Sequence, residues 1–279
     1  FPYTTLFRSG GIMHLYYLGP KGTFSYLAAE QFESHEQYDF IPLSNLHEVI
    51  QSVSKDKQAV GIVPIENSIE GTINIVADSL AHHDVYAHGE IQLDIDFSLY
   101  GHHSNSLDDI HKVYSIAPAI SQTINYIHRQ QFDYDYVDST IQSLNMIKDG
   151  IGAIAPLGSG ETYGYHTLDQ HIQDYPHNVT RFLVVKNHTH FIEHPNTTIF
   201  LITPKYDKPG LLASVLNTFT LFNINLSWIE SRPLKTQLGM YHFYVQADTA
   251  INNDVNKIIS ILETLDFQVK IIGAFNKKN

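Results

Sequence analysis

Cysteine is absent from the 279 residues, tryptophan occurs once and methionine three times. Without cysteine there is no disulfide, no thiolate nucleophile and no thiolate metal ligand, a composition that fits a reducing compartment. Charged residues make up only 16% of the chain, and no block of lysine or arginine interrupts a formal net charge of −12. Nucleic acid and anionic membrane surfaces both require a basic footprint, so neither is expected as a partner. No apolar run approaches the ~18–20 residues of a membrane span. The start of the chain lacks the charged region and apolar stretch of a secretory signal, so a cytoplasmic location is expected. Residues 1–12 precede Met13 and read as an appended, non-native or disordered extension outside the fold. What is present is 43% hydrophobic residues, enough for the cores of two domains.

The apolar pattern alternates between two periods. Strand 14–18 runs through Gly19-Pro20-Lys21-Gly22 into a helix with Tyr26, Ala29 and Glu30. Strand 40–43 precedes a helix capped by Ser44 or Asn45, with Leu46, Val49, Ile50 and Val53 on one face. Strand 59–63 ends at Pro64, and the loop from Glu66 to Gly71 opens a helix with Ile75, Val76 and Leu80. This βαβαβα order predicts an α/β fold with a parallel sheet and right-handed crossovers. Residues 90–100 read as one long strand passing to a second lobe, with Ile91, Leu93, Ile95, Phe97 and Leu99 on one face. In that lobe strands 112–116, 134–137 and 153–155 alternate with helices 121–130, 140–148 and 158–163, before strand 180–186 returns to the first. Two lobes joined by two crossing segments enclose a cleft, and ligands of such sheets bind beyond the carboxyl ends of strands. The polar stretch 188–198 marks a boundary. Beyond it, strand 199–203, helix 210–222, strands 225–231 and 240–247, helix 252–265 and strand 268–274 follow the ferredoxin-like βαββαβ plan.

Three stretches carry chemistry. Gly19 to Ser25 joins a strand to a helix, so free N–H groups and the Thr23 and Ser25 hydroxyls meet at a helix start suited to an anion. It lacks the ending of a phosphate loop and is too short for a dinucleotide fingerprint. Lys21 reads as a solvated loop charge. Glu66-Asn67-Ser68 with Gly71-Thr72 places an acid, an amide and two hydroxyls in one βα loop; beside an anionic ligand Glu66 would repel, so a loop-ordering role suits it. Asn178-Val179-Thr180-Arg181-Phe182 sets an amide, a hydroxyl and a guanidinium at the mouth of an apolar strand. Arg181 keeps two readings, a salt-bridged strand anchor or a bidentate carboxylate clamp. The 17 histidines include the pairs His82/His83 and His102/His103 and the group His188, His190 and His194. With no His-Glu-x-x-His pattern and no cysteine, a solvated surface suits them better than a metal site.

In this order the three stretches closely resemble the prephenate dehydratase family, from about Leu15 to the C-terminus. The resemblance implies a two-lobed, periplasmic-binding-protein-like catalytic domain over 13–190 and a ferredoxin-like regulatory domain of the ACT type over 197–275. It implies a carbon–oxygen lyase that converts prephenate to phenylpyruvate by decarboxylative dehydration in L-phenylalanine biosynthesis, with no cofactor and no metal. Thr180 is the implied catalytic residue; Thr23, Ser25, Asn67, Ser68, Thr72, Ser115, Gln122, Asn178, Arg181 and Phe182 are the implied substrate-binding set. Ser115 and Gln122 match a Ser-His-Pro-Gln type segment of the family, from which Ile116, Ala117 and Pro118 depart. L-phenylalanine is the implied allosteric effector, met by Gly210, Leu211, Leu212 and Ala213 and by Glu230, Ser231, Arg232 and Pro233 between subunits of a homodimer or homotetramer. Fewer than twenty residues precede the first motif, so no helical chorismate mutase domain is expected upstream and the enzyme is expected to be monofunctional. The rival from another class is a non-catalytic two-lobed small-molecule or amino-acid sensor; a metal hydrolase is a distant third.

Overall fold

The computed structural model describes residues 12–32, 34, 37–236 and 238–277, so the expectation for the N-terminal extension falls, but for Ile12, outside the described residues. The chain opens with β1 (Met13–Leu18), α1 (Phe24–Glu30), β2 (Tyr38–Leu43), α2 (Leu46–Lys55) and β3 (Val60–Asn67). The two-residue β4 (Gly71–Thr72), α3 (Asn74–His82) and β5 (Tyr86–Asp94) follow. It then builds a second sheet from β6 (Phe97–Gly101), β7 (Lys112–Ser115), α4 (Ala117–Gln122), α5 (Ile124–Gln130), β8 (Asp133–Tyr136), α6 (Thr140–Asn145), β9 (Ile151–Pro156), α7 (Ser159–Thr162) and β10 (His166–Asp169). Strand β11 (Val179–Lys186) rejoins the first sheet. After it come β12 (Thr197–Pro204), α8 (Leu211–Thr220), β13 (Leu226–Pro233), β14 (Tyr241–Ala247), α9 (Asn253–Thr264) and β15 (Phe267–Phe275). Among the described residues no helix is long and apolar enough to cross a membrane.

The fold is mixed α/β with two sheets. The larger runs β13-β14-β12-β15-β5-β11-β3-β1-β2, with β4 beside β3; the smaller runs β10-β6-β9-β7-β8. Strands β2, β1 and β3 are parallel as expected, but β11 lies antiparallel to both β3 and β5, so the sheet is mixed and not parallel. The reason is the crossing topology: β11 enters from the second sheet and must run back against β5, the strand by which the chain left. The last six elements are βαββαβ in order, and the bridge between Gly273 and Ala87 fuses their sheet to β5.

Three further expectations are corrected. Residues 90–100 form two strands in different sheets, with a break at Ile95-Asp96. Asp96 holds the break: its carbonyl accepts from Leu157 N at 2.8 Å, and its carboxylate meets Gln173 Nε2 and, at 3.2 Å, His171 Nδ1. The alternation misled because Leu93, Ile95, Phe97 and Leu99 are buried in one continuous core across the break. Strand β3 does not stop at Pro64. A bulge against β11, between Arg181 and Phe182, lets the ladder pass a residue with no N–H. The helix expected over 121–130 is two, broken at Thr123, whose hydroxyl bonds Ala119 O at 2.7 Å, and the first begins at Ala117 with Pro118 in its opening turn. Strand β10 was not anticipated.

Strand alternation sorts the cores. Phe182 and Val184 of β11 join Tyr17, Leu93 and Phe97 in one cluster, while Leu183 and Val185 face a second cluster with Val49, Ile50, Val76, Leu80, Trp228 and Tyr244. The βαββαβ unit keeps a third core on its other face, where Val215, Phe219, Val255, Ile258 and Leu262 of α8 and α9 cover Phe200, Ile202, Phe243 and Val245.

His88 and His242, the latter only 4% exposed, depart from the solvated reading. His88 of β5 packs against His188 with ring centroids 4.6 Å apart, and its Nε2 lies 2.7 Å from His188 O. Burial of the ring, the dominant cause, holds its pKa down to about 4 from 6.5. A folded-state value below the unfolded one means that the unfolded chain binds the extra proton between those two values. Stability from this group is therefore full above pH 6.5 and is lost as pH falls toward 4. The urea midpoint of the wild-type protein should fall across that window, and His88→Gln should show a shallower fall. Equal slopes would remove His88 from the account.

Candidate active site

A cavity of about 300 Å³ lies between the two sheets, at the lower edge of the ~300–1,000 Å³ typical of small-molecule pockets. Leu18 at the carboxyl end of β1, Gly19 and Pro20 form one wall; Phe97, Ser115, Ile154 and Pro156 of the smaller sheet form another. The starts of three helices complete it: Thr23, Phe24 and Ser25 of α1, Ile116 and Ala119 of α4, and Asp138, Ser139 and Thr140 of α6. Thr23 caps α1, its Oγ1 accepting from Tyr26 N at 3.2 Å and donating to Leu18 O at 2.9 Å. Ser139 caps α6 by accepting from Gln142 N at 3.1 Å, and Ser115 donates to Ile154 O at 2.6 Å. First-turn N–H groups lack intrahelical acceptors and carry the positive end of the helix dipole. Three such ends therefore bias the cavity toward an anion, although no lysine or arginine is among its lining residues and Asp138 is the one charged group there. The Tyr163 hydroxyl, at the end of α7, donates to Lys21 O at 2.6 Å and so ties the second lobe to the turn after β1.

Beside the cavity is a buried polar network. Asn67, at the end of β3, and Thr180, on β11, are cross-strand partners. Asn67 Nδ2 donates to Thr180 Oγ1 at 3.0 Å and to Asn178 Oδ1 at 2.8 Å; its Oδ1 accepts from Ile69 N at 2.9 Å and Glu70 N at 3.0 Å. Asn178 Nδ2 then donates to Gln122 Oε1 at 2.7 Å. The network thus joins the two sheets, and α4 links it to the cavity: Ala119 lines the cavity and Gln122 stands three residues on, along the same helix face. Because the Thr180 oxygen receives the Asn67 amide, its own proton is left for donation elsewhere. Thr180 and Asn67 are nearly buried, and neither is among the cavity's lining residues, so the hydroxyl does not share that space with Thr23 directly.

Other members of the expected set lie elsewhere. Arg181 follows Thr180 on the strand and so faces the opposite side of the sheet. Its Nε and Nη2 bond Glu66 Oε2 at 3.1 and 3.0 Å, and Nη1 meets Gln246 Oε1 at 2.6 Å and Glu90 Oε2 at 3.5 Å. The guanidinium also lies 5.3 Å from the Trp228 ring. Of its two readings the anchor fits, with Glu66 as the ion partner. Thr72 likewise turns to the βαββαβ unit, donating to Glu230 Oε2 at 2.8 Å. Ser68 is exposed and stitches its loop to the start of β11, accepting from Val179 N at 2.9 Å and donating to His177 O at 3.2 Å. Phe182 is 1% exposed and is core, not cavity wall.

The expected effector residues divide between two faces of β13. Glu230 and Arg232 point inward, Arg232 making a two-point contact with Asp78 of α3 at 2.9 Å for each bond. Those bonds hold the Asp78 carboxyl below its ordinary pKa. Ser231 and Pro233 are exposed, as are Leu212 and Ala213 of α8, while Leu211 is half-buried. Gly210 opens that helix with φ of +81°, a conformation that only glycine adopts without strain. Among the described residues no group of three or more histidine, aspartate or glutamate side chains is placed to hold a metal ion. Sequence reasoning missed Phe97, Ile154 and Pro156 as cavity walls. For Phe97 and Pro156 the signal available was their place at strand ends.

Residues 15–190 match the family model described as prephenate dehydratase. The chain is 36% identical over 270 residues to the prephenate dehydratase of Methanocaldococcus jannaschii, an alignment covering 94% of this chain and 96% of that one. It superposes with a TM-score of 0.90 on the crystal structure of prephenate dehydratase from Staphylococcus aureus subsp. aureus, at 70% identity over 95% of this chain and all of that one (100%). The prephenate dehydratase of Arthrobacter aurescens, crystallised in complex with L-Phe, matches at 28% identity and a TM-score of 0.82, covering 95% of this chain and 90% of that one. Near-complete coverage in both directions, with the family model spanning residues 15–190, makes this chain a member of the prephenate dehydratase family.

Proposed function

We propose that this protein converts prephenate to phenylpyruvate, carbon dioxide and water, and that L-phenylalanine regulates it. The observation that carries the reading is the interlobe cavity at strand carboxyl ends with the Asn67–Thr180 network one helix face away. Prephenate carries two carboxylates and a ring hydroxyl. As the ring carboxylate departs as carbon dioxide, the electron pair of its C–C bond enters the ring and expels the hydroxyl. The ring becomes aromatic, and the departing oxygen takes a proton to leave as water. The side-chain carboxylate stays on the product. Helix starts at Thr23, Ile116 and Ser139 supply N–H groups for an anion, while Phe24, Phe97 and Ile154 make the space poorly solvating for the carboxylate that is lost. Thr180, oriented by Asn67, gives a directed hydrogen bond to the leaving oxygen.

The division is 13–190 for catalysis and 197–275 for regulation, the latter an ACT domain. Its βαββαβ order and the edge position of β13 support effector capture between neighbouring subunits of a homodimer or homotetramer. Effector binding shifts the population toward one cleft state only by as much as it prefers that state. Incubation with prephenate, followed by the absorbance of phenylpyruvate in alkali, is expected to show product without added metal or cofactor. Ligand binding with no phenylpyruvate would replace this reading with the sensor.

A further inference from the structure

We infer that Arg181 is the positioning residue through which the βαββαβ unit acts on the catalytic network, and that Gln246 is its receiver on that unit. The inference rests on the regulated-enzyme reading above and names the contact that carries the regulation.

Two cross-strand pairs stand back to back. Thr180 pairs with Asn67, and Arg181 pairs with Glu66, on neighbouring positions of β11 and β3. Alternation sends the first pair to the network and the second to the βαββαβ unit. Thr180 and Arg181 are neighbours along β11, as Glu66 and Asn67 are along β3, so within each strand the two Cα atoms are fixed at about 3.8 Å. A shift of the guanidinium and its backbone therefore cannot leave the Thr180 hydroxyl where it was. On the receiving side Gln246 of β14 and Trp228 of β13 are themselves register partners. Gln246 is 1% exposed and accepts from Arg181 Nη1 at 2.6 Å; the Trp228 ring lies under the same guanidinium. Trp228 is two residues from Glu230, at the head of the stretch expected to meet the effector, and both touch Thr72. A change in β13 thus reaches the guanidinium directly. Two further inward contacts, Arg232 with Asp78 and Tyr244 with Ala77, end on α3, away from the Thr180–Asn67 pair.

The test is the L-phenylalanine dose response of the full chain. In Gln246→Met the side chain keeps its bulk but offers Arg181 no carbonyl. The expected result is basal kcat/KM within threefold of wild type, phenylalanine binding retained by equilibrium dialysis, and an inhibition midpoint raised at least tenfold, within the 5–150-fold span of typical couplings. Gln246→Glu, which still accepts the guanidinium N–H, should restore the wild-type midpoint; a purely structural role for Gln246 would not show that rescue. Because coupling is reciprocal, prephenate should shift phenylalanine affinity in wild type and not in Gln246→Met. An unchanged midpoint in Gln246→Met, or loss of phenylalanine binding itself, overturns the inference and leaves the enzyme reading standing. A wild-type enzyme insensitive to phenylalanine overturns the regulatory reading and this inference with it. If Gln246→Met does not fold, Trp228→Phe carries the same test: it loses the indole donor to Thr72 and weakens the face under the cation. Its expected rise in midpoint is at least threefold, and no rise overturns the inference.

Discussion

Thr180→Ala is expected to cut kcat more than a hundredfold, while Thr180→Ser retains much of the wild-type rate. Positioned proton donation contributes roughly 10²–10⁴-fold in enzymes generally. Alanine removes the donor and also leaves Asn67 Nδ2 short of one acceptor, though Asn178 Oδ1 at 2.8 Å still holds it. The fold should therefore lose about 1–3 kcal/mol, the cost of one under-satisfied buried polar group, and remain assembled at assay temperature. Serine keeps the hydroxyl and its acceptor role toward Asn67. It loses only the methyl that restricts χ1, so its deficit should be in the fraction of time the proton points at the leaving oxygen. Steady-state kinetics on prephenate, with thermal denaturation of each variant alongside, separates chemistry from folding. Equal turnover by the alanine variant would take Thr180 out of the mechanism.

The second large effect is on stability. Arg181→Met should lower the unfolding free energy by about 3–5 kcal/mol, the usual cost of leaving one member of a buried ion pair alone. The Glu90 side chain is only 4% exposed, with the Arg181 guanidinium 3.5 Å away, and Gln246 would lose its donor in the same step. Methionine fills much of the arginine stem's volume, so the loss reports on charge and hydrogen bonding more than on a cavity. Urea denaturation checks the figure. A clamp on substrate carboxylate would behave differently: the variant would be as stable as wild type, with a raised KM. The contacts with Glu66, Glu90, Gln246 and Trp228 favour the first outcome.

Much of the C-terminal half was legible because its periods are clean. Val255, Ile258 and Leu262 recur at helical spacing and are all buried along α9, while Phe243 and Val245 alternate on β14. The strand ends found there lie within two residues of those expected. The first sheet was less legible at two places. A run of inward apolar residues from Ile91 to Leu99 looks the same whether it lies in one strand or bends between two, because burial on one side is all that alternation reports. Pro64 looked like a strand end because what carries the ladder past it is pairing with β11, more than a hundred residues later: Arg181 faces Glu66 and Phe182 faces Pro64, with Ile65 bulged out between them.

The candidate site divides in the same way. Asn67, Gln122, Asn178 and Thr180 were all nameable, and they come together in one hydrogen-bonded chain. Thr23, Ser25 and Ser115 were nameable too, and they border one cavity. Thr72, Ser68 and Phe182 came from the same stretches yet face the βαββαβ unit, the loop and the core.

The order of strands and helices, the family and the residue types brought to the cleft are written in the chain itself, because periodicity, turn residues and motif spacing are local properties. Which of two adjacent side chains meets the ligand and which meets the neighbouring unit is not local. It depends on the face a strand presents after its partners, bulges and crossings are set, and it is the tertiary fold that turned Thr180 toward one side of the sheet and Arg181 toward the other.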